Sequence, residues 1–167
     1  MTQKPDQSLI LIAHNIRSLH NVGSLFRTAD GAGVDKLYLT GFSGHPPRDQ
    51  ISKTALGAED MVDWEHQWEI ETVVDRLLEE GYALAAVEKH EDSIPYHEAE
   101  SPEKLALILG NEVWGLEPEV LEKCHQHIHV PMWGGKISLN VAVCGGVILY
   151  GMREVYRKHL HGVRNAL

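Results

Sequence analysis

The chain has 167 residues, of which 43% are hydrophobic and 23% charged, with a net charge of −9 and a pI near 5.6. This is the make-up of a single globular domain, residues 1–167, with a sizeable core. No apolar run approaches the ~18 residues a membrane span needs. The acid excess speaks against strong non-specific nucleic-acid binding, yet it leaves room for a local basic face.

Ser8–Ala13 is rich in β-formers and predicts a buried first strand. Its apolar run, Leu9 to Ala13, is too short for the core of a signal peptide, which predicts a cytoplasmic protein. Residues 21–33 predict a helix, with Val22, Leu25, Phe26 and Ala29 at helical spacing, Asn21 as N-cap and Gly31 or Gly33 as the stop. Lys36–Thr40 predicts a strand. Residues 41–57 predict a long loop with a helical turn near 51–55, and 61–67 a weaker strand. Residues 69–80 form an amphipathic pattern, with Ile70, Val73, Val74, Leu77 and Leu78 on one face and Gly81 behind it. Strands follow at 82–87, 105–109 and 127–130, with a short helix at 118–124. The last and longest helix runs from Ser138, read as its N-cap, to about Lys158; Gly145-Gly146 allow close packing on its inner face.

Near-continuous apolar strands alternating with helices predict an α/β fold with a mainly parallel sheet flanked by helices. In such sheets ligands bind beyond the carboxyl ends of the strands. Glu88, Gly110-Asn111-Glu112 and residues 131–137 would fall there. No GxGxxG follows the first strand and no GxxxxGK[ST] occurs, so a nucleotide-like ligand would need another arrangement. His125, His127 and His129 alternate, but no fourth ligand is evident, and ordinary histidines are expected rather than a metal site. Cys124 and Cys144 read as reduced, buried thiols. Trp64, Trp68, Trp114 and Trp133 could stack on bases; packing is the expectation for Trp64 and Trp68.

Three motifs stand out. The first is N-x-R-x-x-x-N-x-G-x-x-x-R-x-A from Asn15 to Ala29, the second L-x-x-G-N-E-x-x-G-L from Leu107 to Leu116, and the third V-P-M-x-G-x-x-x-S-L-N-V-A from Val130 to Ala142. In this order they resemble the SpoU/TrmH class of RNA ribose 2′-O-methyltransferases of the SPOUT superfamily, over about residues 8–156. The resemblance implies a C-terminal deep trefoil knot, which bottom-up reasoning would not propose because knots are rare. It also implies S-adenosylmethionine as cofactor, a homodimer, and a tRNA or rRNA substrate, with tRNA favoured. The alternatives are a catalytically inactive RNA- or cofactor-binding protein of the same fold, or a methyltransferase with another acceptor.

By the same resemblance the cofactor would lie against Ala86, Val87, Gly110, Asn111, Val130, Met132, Ser138 and Leu139. The catalytic set would be Arg27, Asn21, Glu112, Ser138 and Asn140. Arg27 is expected to hold an RNA phosphate and stabilise a developing alkoxide, since an arginine is not deprotonated in proteins. Asn21 would orient Arg27 or the ribose, and Glu112 would hold Arg27 or loop amides. Asn140, read as one turn inside the last helix, is unfavourable there unless its side chain has work to do. Arg17, Arg27, Arg48 and Lys53 are the expected RNA-binding cations.

Overall fold

The computed structural model describes residues 3–4 and 6–165. Seven parallel strands form one sheet in the order β3-β2-β1-β6-β4-β7-β5. They are β1 (Ser8–His14), β2 (Lys36–Thr40), β3 (Trp64–Gln67), β4 (Ala83–Val87), β5 (Ile94–Pro95), β6 (Lys104–Leu109) and β7 (Gln126–His129). The helices are α1 (Leu19–Ala32), α2 (Asp49–Ala55), α3 (Ile70–Glu79), α4 (Pro118–Lys123) and α5 (Val141–Asn165). The two-residue β5 carries no apolar run and was not foreseen. Residues 49–55, expected as a turn within a loop, make a full short helix.

Side chains alternate across a strand, so a strand buried on both faces must be apolar throughout. Leu9, Leu11 and Ala13 of β1 pack with Leu25, Phe26 and Ala29 of α1 and with Ile148, Leu149 and Met152 of α5. Ile10 and Ile12 enter a second core with Val73, Val74 and Leu77 of α3 and Val120 of α4. Phe26 is fully buried and meets Trp64 edge-on at 6.2 Å. At Gly145 α5 packs tightly on α1: a Cβ there would stand 2.7 Å from Leu25 Cδ2 and 3.1 Å from Leu109 Cδ1.

Two helix starts differ from expectation. Ser18, extended at φ −87°, caps α1 by accepting from Asn21 N, so the helix begins earlier and Asn21 lies in its first turn. Asn140 rather than Ser138 caps α5: its Oδ1 accepts from Ala142 N at 2.9 Å and Val143 N at 3.3 Å. An asparagine there is at a favoured position, not a costly interior one. At the other end of α1, Gly33 at φ 66° ends the helix in the left-handed conformation that glycine adopts without penalty.

Arg153 of α5 ties the far end of the fold together. It is 7% exposed and donates to the carbonyls of Ala32, Gly33 and Gln7 and to Gln7 Oε1. Gln7 in turn donates to Ser101 Oγ and Pro102 O. Burial pushes the guanidinium pKa down from its usual range, but the group stays charged.

Candidate active site

The pairing register brings the carboxyl ends of β1, β6, β4 and β7 into one row: Ala13 faces Leu109, Leu109 faces Val87, and Val87 faces Ile128. The chain leaving β4, β6 and β7 and the segment before α5 therefore meet beyond that row. They enclose a cleft of about 720 Å³, part of it open to solvent, lined by Val87 to Lys89, Leu109 to Glu112, His129, Val130, Met132, Ile137 to Leu139, Val141 and Cys144. Seven of the eight residues expected to meet a cofactor line it: Val87, Gly110, Asn111, Val130, Met132, Ser138 and Leu139. Ala86 does not; it is fully buried one residue inside β4, in the core under α3.

The loop after β6 is held rigidly. Asn111 and Gly115 bond to each other through both main chains, at 3.0 and 3.2 Å. The buried Asn111 side chain accepts from Val113 N and Trp114 N, and its amide donates to Asn15 O at 2.8 Å. Asn111 thus builds the loop as well as lining the cleft. Glu88 accepts from Leu116 N at 2.9 Å and occupies the space a Cβ on Gly115 would need. A side chain at Gly110 would meet the main chain of Gly115 at 2.7 Å, so glycine is required there by the loop itself. A carboxylate directly after an apolar strand was the only sequence signal for Glu88.

Glu112, freed by this loop, lies where the three motifs converge. Its carboxylate is 3.5 Å from Asn21 Nδ2 and 3.5 Å from Arg17 N, and Asn140 Nδ2 donates to Asn21 Oδ1 at 3.2 Å. Because Ser18 caps α1, the whole Asn21 amide is available for this bridge. The 3.5 Å contacts are weak by hydrogen-bond geometry. Ser138 is exposed and lines the cleft without capping a helix.

Arg27 is not brought to this cluster within one chain. It is six residues after Asn21, so it projects about 120° away around the helix and roughly 9 Å along it. It is exposed and, among the described residues, makes no ion pair. Arg17, Arg48 and Lys53 are exposed as well. Sequence reasoning passed over His14, which is 4% exposed at the end of β1. Its Nδ1 is 2.8 Å from Thr40 Oγ1 and its Nε2 3.2 Å from Glu117 Oε1, tying β1 to β2 and to the segment after the Asn111 loop.

The alternating histidines have separate neighbours. His125 Nδ1 accepts from Leu84 N, His127 Nε2 is 3.0 Å from Leu121 O, and His129 Nδ1 is 2.8 Å from Ser93 Oγ. Both cysteines are only partly buried, short of the expected full burial. Desolvation still pushes the Cys124 thiol up to about 12 and the Cys144 thiol up to about 11.

Comparison with known proteins places this arrangement. A tRNA (guanosine(18)-2′-O)-methyltransferase of Aquifex aeolicus is 32% identical over 155 residues, covering 89% of this chain and 70% of that enzyme. Against several putative TrmH family tRNA/rRNA methyltransferases of staphylococci, 30–31% identical, the chain spans 61% of their length. An AdoMet-bound rRNA methyltransferase from Sinorhizobium meliloti shares the fold at a TM-score of 0.84 and 22% identity, over 92% of this chain and 58% of that one. A structure described as giving insights into the 2-OH methylation of C/U34 on tRNA aligns at a TM-score of 0.80 and 26% identity, over 94% of this chain and 99% of that one. The profile of the SpoU rRNA Methylase family matches residues 8–150, and the chain belongs to that family.

Proposed function

We propose that this protein transfers a methyl group from S-adenosylmethionine to a ribose 2′-hydroxyl of RNA, with tRNA as the favoured substrate. The observation that carries the reading is the bridge Asn140–Asn21–Glu112 at the rim of the cleft, which joins residues of all three motifs. The names of two relatives, the Aquifex aeolicus enzyme and the C/U34 structure, support tRNA, while the Sinorhizobium meliloti enzyme is named for rRNA and the staphylococcal relatives for both.

The cleft suits such a donor. Val87, Leu109, Val130, Met132 and Leu139 offer apolar walls for a base, and the carboxylates of Glu88 and Glu112 favour a cation. When bound, the sulfonium supplies a methyl already activated by positive charge. The chain's part is to align the acceptor oxygen and exclude water. Asn21 and Asn140 hold the sugar, and Glu112 orients the first-motif loop through Arg17 N. The guanidinium of Arg27 stabilises the oxygen as negative charge develops on it.

Arg27 does this across a homodimer, donated to the partner's cleft. Two features support that arrangement: the exposure of Arg27, and an uncovered apolar stripe on α5. Val143 and Tyr150 are each 54% exposed and Val147 partly so, at spacings i, i+4 and i+7. Family membership also supports a trefoil knot at the C-terminal end.

The test is incubation of the protein with tritiated S-adenosylmethionine and separated tRNA and rRNA fractions, followed by nucleoside analysis. Label in 2′-O-methyl nucleosides of tRNA is expected. Label in bases defeats the ribose reading, and no label in any fraction favours a binding protein of the same fold.

A further inference from the structure

We propose that Phe42 and Trp114 form a platform on which an unpaired base of the RNA stacks, beside the nucleotide that is methylated. The inference deepens the transferase reading and rests on it for the identity of the polymer. The two rings meet edge-on, with centroids 6.3 Å apart, although Phe42 is 44% and Trp114 59% exposed. Large apolar rings left side by side in water mark a binding surface more often than an accident of folding.

The chain goes to some length to hold them there. Asn15 adopts a left-handed conformation at φ 54°, uncommon for a residue with a side chain. In that pose its Oδ1 accepts from Phe42 N at 3.0 Å, while its carbonyl accepts from Asn111 Nδ2. Asn111 Oδ1 accepts in turn from Trp114 N. Gly41, at φ 62°, lets the loop after β2 approach, since a Cβ there would stand 1.9 Å from Asn15 Oδ1. Asn15 and Asn111 therefore fix both aromatic loops against each other.

The surroundings specify the occupant. Trp114 is two residues from Glu112, in the same short loop, so whatever rests on it is next to the cleft rim. Arg17, whose main chain reaches Glu112, is exposed and makes no ion pair among the described residues. An exposed aromatic face in the loop that meets the first-motif segment, with an exposed arginine on that segment, suits a base with its attached phosphate, as on single-strand binding surfaces. Unpaired bases present that face; bases in an RNA duplex do not.

The experiment uses the full chain saturated with S-adenosylmethionine and two fluorescein-labelled probes: an oligoadenylate decamer and an abasic ribose-phosphate decamer. Fluorescence anisotropy should show Trp114→Ala and Phe42→Ala each weakening oligoadenylate binding about tenfold. Trp114→Phe should stay within about threefold of the parent, since it keeps a stacking face. The abasic decamer should bind parent and Trp114→Ala alike. Equal oligoadenylate affinity for parent and Trp114→Ala overturns the proposal, as does a parent that binds both decamers equally or neither. So does Trp114→Ala that dissociates the dimer in sedimentation while keeping its oligoadenylate affinity, because a second copy of the chain would then cover the pair. Calorimetric cofactor titration and methyl transfer on the same preparations test the transferase reading separately. Absence of transfer with the anisotropy result intact would remove the reaction and leave the platform standing.

Discussion

Two polar clusters join distant parts of this chain, and they are built in opposite ways. Arg153 is buried, and its donors are matched by three main-chain carbonyls and one amide oxygen, at 2.6 to 3.2 Å. The Asn21–Glu112–Asn140 bridge sits on an exposed rim with contacts of 3.2 to 3.5 Å and unused hydrogen-bonding capacity. A buried charge must be satisfied or the fold suffers. A group meant to meet a substrate must keep capacity in reserve. The contrast separates residues that hold the fold from residues proposed to do chemistry, although all of them are polar and all link remote segments.

The difference can be broken or sharpened by mutation. Arg27→Ala should lower kcat by about 10³-fold, roughly 4 kcal/mol of transition-state stabilisation. Calorimetry should find cofactor affinity unchanged; retained turnover would take Arg27 out of the reaction. Arg153→Met should do the reverse, costing roughly 3 kcal/mol of stability by leaving carbonyls unpaired. By differential scanning calorimetry that is a Tm lower by about 6–12 °C, with any surviving folded protein fully active.

Asn140→Asp sharpens the contrast within one residue. The carboxylate keeps the cap, and negative charge at a helix start is favourable, so Tm should hold. The amide donor to Asn21 is gone, so kcat should fall about tenfold to a hundredfold. Equal loss of Tm and kcat would mean that Asn140 is only a cap. Ser18→Ala is the converse, costing about 1 kcal/mol in urea unfolding through the lost α1 cap, with little change in kcat.

The smallest effect concerns pH. Cys144 lines the cleft with its thiol pushed up to about 11 from 9.0. Between those values the unfolded chain loses a proton that the folded one keeps, so stability should decline as pH rises through that window and be unaffected below it. Alkylation of Cys144 by iodoacetamide, read by peptide mapping, should keep accelerating past pH 9, and S-adenosylmethionine should slow it. A plateau near pH 9, or no protection, would contradict the placement.

Much of this was legible in the sequence because one physical pattern dominated. The apolar strands announced a sheet covered on both sides, and the C-terminal ends of the strands read at 82–87 and 105–109 announced the cleft. The errors lie where several residues compete for one role. Ser18 and Asn21 are both good caps three residues apart, Ser138 and Asn140 both good caps two apart, and only the backbone path decides within each pair. In both cases the true assignment frees or places an asparagine for the rim. Short β5 was hidden because two residues form no period. The Asn15–Asn111 lock was hidden because it depends on a left-handed asparagine and on segments 96 residues apart.

The claim that depends on everything above is that a working site combines the Asn21–Glu112–Asn140 rim of one chain with Arg27 of another. Co-expression of Arg27→Ala with Glu112→Ala, each inactive alone, tests it directly. Mixed dimers then carry one intact site of two, and random pairing predicts recovery of about a quarter of the parental methyl-transfer rate. No recovery, with mixed dimers demonstrated by differential tagging, would contradict a site shared between subunits.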